Sequence, residues 1–161
     1  MMKLHAGHIE LALANYFNFQ THLIVPNVSY GWGLNYEADL VIITPSRYAW
    51  EIEIKTSIAD LKADLKKKHQ HDSNKFKALY FAVPRDLKEK ALELIPERAG
   101  LFVILEPRKE NKWFPAVMLI KSPKINMKAD KITDKELEKL YKLAAMRIWS
   151  LKEIIYKLQK E

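Results

Sequence analysis

Glu37-Ala38-Asp39-Leu40-Val41-Ile42-Ile43-Thr44-Pro45-Ser46-Arg47-Tyr48-Ala49-Trp50-Glu51-Ile52-Glu53-Ile54-Lys55 is the stretch on which the fold turns. Glu37 to Thr44 reads as a strand whose end is apolar without interruption, the pattern of a strand buried on both faces. Pro45-Ser46-Arg47 breaks the run. Tyr48 to Lys55 then alternates strictly, with Trp50, Ile52 and Ile54 on one side and Glu51, Glu53 and Lys55 on the other. One face is predicted to be core and the other charged. If the two strands form a hairpin centred on Ser46, position 39 stands opposite position 53, and two carboxylates become neighbours about 5 Å apart. Acids at that spacing repel unless a cation or a proton sits between them. Lys55, two positions beyond Glu53, projects from the same face.

Working outward, the spacing predicts a helix over about residues 5–19 and a strand over 23–30, with Gly31-Trp32-Gly33 as the turn signal. Downstream, Ser57 caps a helix that carries Ile58, Leu61 and Leu65 inward and Lys62, Lys66, Lys67 and Lys68 outward. Residues 78–83 form an apolar strand closed by Pro84, residues 86–95 an amphipathic helix ended by Pro96, and residues 101–105 a third apolar strand. This strand, helix, strand order implies a crossover in a mixed sheet. Residues 113–121 read as a weaker strand at an edge, given Pro115. Residues 122–132, rich in Pro, Lys and Asp, are the best linker candidate. Thr133-Asp134-Lys135-Glu136 opens a long amphipathic helix over about 133–160. The fold class is therefore α/β (α+β by some schemes): a mixed central sheet flanked by helices, in the order αβββαβ, then αββ, then the C-terminal helix.

A chain of 161 residues with 48% hydrophobic content buries one core and is short for two. Residues 1–161 are read as one domain, with its core over about 5–121. The absence of cysteine excludes disulfides, thiolate metal sites and cysteine nucleophiles. No stretch approaches the roughly 20 apolar residues of a membrane span, so a soluble, cytoplasmic protein is expected. A formal net charge of +7 and a pI near 9.4 favour a polyanionic partner.

Two acids and a lysine at the end of a hairpin suit phosphodiester hydrolysis. Asp39 and Glu53 can hold Mg2+, with Mn2+ as a substitute, and such an ion polarises a phosphate and acidifies a bound water. Lys55 can orient that water or offset developing charge, and is a general base only if its pKa is depressed. Lys62, Lys66, Lys68, His69 and Lys75 would flank the active face as phosphate contacts.

Asp39, followed after 13 residues by Glu53-Ile54-Lys55, resembles the signature of the PD-(D/E)XK nuclease superfamily, with its restriction-endonuclease-like and Holliday-junction-resolvase-like members. Glu37-Ala38-Asp39-Leu40, Glu51-Ile52-Glu53-Ile54-Lys55-Thr56-Ser57, Asp64-Leu65-Lys66-Lys67-Lys68-His69 and Tyr80-Phe81-Ala82-Val83-Pro84 are similar to small stand-alone members, including the MmcB-like group linked to DNA repair. Ala38 stands where the superfamily name has proline. The resemblance implies a Mg2+-dependent endonuclease acting on DNA in repair, recombination or restriction, with Asp39, Glu53 and Lys55 catalytic. It also implies Glu10, on the first helix, as a further metal ligand.

Competing readings stand beside these. The three central residues could form a solvated face with cross-strand Glu/Lys pairs, with Glu37 and Glu51 as exposed charges. The chain could be a catalytically silent nucleic-acid-binding module on the same fold, or an interaction protein that forms a homodimer through residues 133–158. Trp32, Tyr36 and Tyr48 read as packing residues before base-stacking ones. Trp149 and the leucines of the last helix read as core or a dimer seam. His69-Gln70-His71 has no third ligand at zinc spacing.

Overall fold

The computed structural model describes residues 4–29, 32–67, 73–106 and 115–159. Its elements follow the predicted order: α1 (Ala6–Tyr16), β1 (Leu23–Val28), β2 (Ala38–Ile43), β3 (Ala49–Ile54), α2 (Ile58–Leu65), β4 (Phe76–Pro84), α3 (Lys88–Leu94), β5 (Gly100–Leu105), β6 (Ala116–Lys121) and α4 (Asp134–Leu158). The strands form one six-stranded sheet in sequential order. β1, β2 and β3 make an antiparallel meander, β3, β4 and β5 run parallel, and β6 returns antiparallel at the edge. The parallel pairs are those joined through a helix, because a parallel neighbour cannot be reached by a tight turn.

Alternation along the strands divides the core between two faces. On one face, Ile9, Ala12 and Leu13 of α1 pack on Leu40, Ile42, Ile52, Ile54, Tyr80 and Phe102. On the other lie two apolar clusters. Leu140 of α4 covers Val25, Val41 and Ile43, while Leu61 of α2 and Ala91 of α3 cover Phe81, Val83 and Leu101. Glu51 of β3 stands between Val41 of the first of these clusters and Leu79 of the second, and Glu53 and then Lys55, just past the strand end, follow it on the same face.

Three local readings are corrected. α1 stops at Tyr16 rather than near residue 19, because Asn18 adopts a left-handed backbone, φ 55°, which a right-handed helix cannot continue through. The segment predicted as one helix over 86–95 opens with a 3-10 turn, Arg85–Leu87, before α3 begins. Residues 122–132 are a strap rather than a free linker. The backbone N–H groups of Lys124, Asn126 and Ile132 donate to the carbonyls of Arg98, Lys77 and Arg47, and Ala129 and Ile132 are buried.

α4 begins as the sequence predicts. The Thr133 side chain accepts from the Glu136 N–H while Glu136 reaches back to the Thr133 N–H, a reciprocal capping box. Trp32, buried in the core, donates its indole N–H to the Glu136 carbonyl at 3.2 Å. Tyr36 is buried too, so packing is what these two aromatic rings do.

Candidate active site

β2 and β3 pair with Leu40 opposite Ile52 and Val41 opposite Glu51. The same register carries Asp39 to the position opposite Glu53, as a hairpin centred on Ser46 requires. The Ile54 N–H donates to Asp39 Oδ2 at 2.8 Å, and the Asp39 N–H lies 3.4 Å from Glu53 Oε1. Lys55 Nζ donates to Glu53 Oε2 at 2.7 Å and to Asp39 Oδ2 at 3.3 Å. A third carboxylate converges on it from α2, with Asp64 Oδ1 at 3.2 Å from Lys55 Nζ and 2.7 Å from Lys67 Nζ.

The charged face of β3 is not solvated. Glu51 is 0%, Glu53 1%, Asp64 1% and Lys55 7% exposed. α2, α3 and α4 cover this side of the sheet, so ions placed there must find partners within the protein. The Tyr36 hydroxyl donates to Glu51 Oε2 at 3.0 Å. Burial and the Glu51 charge push that hydroxyl well above the usual tyrosine range, so it stays a donor. Glu37, by contrast, is exposed, as predicted.

Burial alone would lower the pKa of Lys55, but the charges of Glu53, Asp39 and Asp64 outweigh it and raise the ammonium above the ordinary lysine value. With these carboxylates around it and no metal ion present, Lys55 is a cation and a hydrogen-bond donor. Glu10 lies half-buried on α1. Burial first and the charge of Asp39 second raise its carboxyl above its ordinary value, placing it within electrostatic reach of Asp39.

The donor set fits a hard divalent ion. Asp39 and Glu53 offer carboxylate oxygens to one point, and Lys55 Nζ already occupies the cation position between them. Among the described residues no group of three His, Asp or Glu forms a ready metal cage. Mg2+ does not need one, since it keeps several waters and is held by one or two carboxylates.

The other predicted contacts are distributed unevenly. Lys62 on α2, the helix that begins just after Lys55, and Lys66 at its C-terminal cap are exposed. Lys75 is committed elsewhere: it pairs with Glu136 and lies 4.8 Å over the Trp32 ring. It sits six positions before Phe81, the β4 partner of Glu53, roughly 20 Å down the sheet at strand rise. Lys68 and His69 lie outside the described residues, as does His71. Asp64, Glu51 and Tyr36 carry more of the site than residue type alone suggested. Asp64 follows Leu61 by three residues, which puts it beside the inward stripe of its helix.

An acid pair and a lysine at the end of a buried strand define the class: a mixed-sheet α/β domain with a charged centre built into its core. Residues 5–154 match the model of the family described as DNA repair protein MmcB-like, and the chain belongs to that family. Among solved structures it is similar to SPO1766, a protein of unknown function from Silicibacter pomeroyi. The match has a TM-score of 0.63 and 16% identity over 99% of this chain and 97% of that one, a likeness of fold. No curated protein matches the sequence.

Proposed function

We propose that this MmcB-like chain is a Mg2+-dependent nuclease of the PD-(D/E)XK type that hydrolyses phosphodiester bonds in DNA. The observation that carries the reading is the convergence of Asp39 and Glu53 on one cation position, with Lys55 Nζ at 3.3 and 2.7 Å from them. The family's DNA-repair description supports DNA as the substrate. Asp39 and Glu53 would hold Mg2+, or Mn2+ in its place, with Glu10 as an additional ligand from α1. Such an ion supplies charge to the phosphate and lowers the pKa of a water.

The rest falls to the chain's own groups. With an ion held by Asp39 and Glu53, the Lys55 ammonium is displaced from between them, keeps Asp64 as its partner and donates to a phosphate oxygen, offsetting the charge that grows there. Asp64 is a positioning residue that holds the ammonium from the α2 side. Glu51, tied to Tyr36, fixes the row of β3 behind it. Lys62 and Lys66 take backbone phosphates outside the reacting centre, which makes affinity fall with salt.

The test is cleavage of plasmid and branched DNA by the purified chain with Mg2+ or Mn2+, stopped by chelator. Asp39→Asn keeps an oxygen to accept the Ile54 N–H while removing the charge, and is expected to lose at least about a hundredfold in rate. Wild-type protein that binds DNA in a salt-dependent way yet cuts no substrate with either ion would overturn the nuclease reading in favour of a binding module. Unchanged cleavage by Asp39→Asn would overturn the assigned site.

A further inference from the structure

α4 outruns the body it packs on. Its first half seats Leu137, Leu140, Leu143 and Ala144 against the β1–β2 side of the core, and Arg147 Nη2 closes that contact by donating to the Asn27 carbonyl at 2.8 Å. Beyond Arg147 the same stripe continues as Ile148, Leu151, Ile154, Ile155 and Leu158, which are 55, 59, 53, 53 and 65% exposed. A helix face that continues its own core stripe into solvent is not explained by folding of the single chain.

The phase of that face identifies its occupant. Ile148, Leu151, Ile155 and Leu158 recur at alternating spacings of three and four, a short heptad seam with Ile148 and Ile155 at one core position and Leu151 and Leu158 at the other. β-Branched residues at the first position and leucine at the second are the pairing that favours two strands. No seam position from 148 to 158 is charged, so the face complements itself.

The area agrees. With more than half of each of the five distal side chains exposed, pairing two copies covers at most on the order of 1,000 Å2, the size of a weak, concentration-dependent interface. We infer that the chain forms a two-fold homodimer through the overhanging half of α4, with residues 148–158 of one copy packed along the same residues of the other.

The full chain is examined by sedimentation equilibrium and size exclusion with light scattering from micromolar to 100 micromolar. The expected mass is twice the 18.9 kDa of one chain. Leu151→Glu with Ile155→Glu, at positions that are already exposed, is expected to give a monomer with an unchanged circular dichroism spectrum and melting transition. A wild-type monomer across that range would overturn the inference, as would a dimer that survives the double substitution. A wild-type monomer that sediments with vesicles of phosphatidylglycerol would overturn it in favour of a membrane surface as the occupant. None of these readouts depends on cleavage of DNA.

Discussion

Replacing Lys55 with methionine removes the ammonium that Glu53, Asp64 and Asp39 share while keeping most of the side chain's length. Breaking a buried ion pair from one side costs about 3–5 kcal/mol, because the other charge is left in the interior without compensation. Asp64 keeps Lys67 at 2.7 Å and the Asp39 side chain is 31% exposed, so the uncompensated charge is chiefly that of Glu53, 1% exposed. The lower end, about 3 kcal/mol, is therefore expected, which for a domain of this size is a fall in Tm of roughly 6–12 °C.

The pH dependence fixes the cause. In the variant the stranded carboxylate gains stability by taking up a proton, so the deficit should shrink as pH falls from 8 towards 5. In the wild type the sign is opposite and the window different. The folded-state pKa of Lys55 is raised, so its contribution is complete below the ordinary lysine value, about 10.4, and is lost only as pH rises through the folded value. Thermal unfolding followed by circular dichroism without divalent ions measures the first at pH 5, 6.5 and 8 and the second at points above about pH 10.4. A Lys55→Met protein within a degree of wild type at pH 8, or equally destabilised at pH 5 and 8, would refute the reasoning. Under the metal reading, millimolar Mg2+ should raise the Tm of the variant more than that of the wild type, since in the wild type the ion must first displace Lys55 Nζ from between Asp39 and Glu53.

Two other perturbations test the frame around the site. Gly100→Ala would bring its Cβ to 2.6 Å from Tyr80 Cδ1 and 2.9 Å from the Lys121 carbonyl oxygen. Tyr80 is stacked on Phe102 and cannot move freely, so a loss of about 1–3 kcal/mol is expected in urea unfolding. Glu136→Gln removes the carboxylate that pairs with Lys75 and caps α4. Burial opposes its ionisation, but the Lys75 and Thr133 bonds hold its pKa down to about 2. A depressed carboxylate stabilises the fold above its unfolded pKa and loses that contribution as pH falls through the folded value. The variant should thus be about 1 kcal/mol less stable at pH 7 and show a flatter stability profile between about pH 4.5 and 2. An unchanged profile in that window would show that the pair contributes nothing.

The hairpin of β2 and β3 was legible because alternation and a turn centred on Ser46 leave little freedom of register. A one-residue slip would exchange Ile52 and Ile54 for Glu51 and Glu53 on the α1 face. From that register the opposition of Asp39 and Glu53 follows with no further information. The burial of Glu51 was recoverable in part: its cross-strand neighbour is Val41, inside a run whose composition already predicts burial on both faces. Asp64 was less accessible, since reading it as a partner of Lys55 requires knowing how α2 lies across β3. Lys75 shows the reverse case, in which charge suggested a phosphate contact but β4 carries the residue to the opposite end of the sheet.

By itself the sequence determined the element order, through helical and strand spacing along the chain, and the pairing of the two acids and the face from which Lys55 projects, which are consequences of period-two geometry acting over fewer than twenty residues. Only the tertiary structure decided that this face is interior. Solvation of a strand is set by what packs over it, and α2, α3 and α4 arrive from distant parts of the chain. That burial turns a row of alternating charges into a centre where three carboxylates share the Lys55 ammonium, with Lys67 also on Asp64, while the far half of α4 keeps its apolar face uncovered.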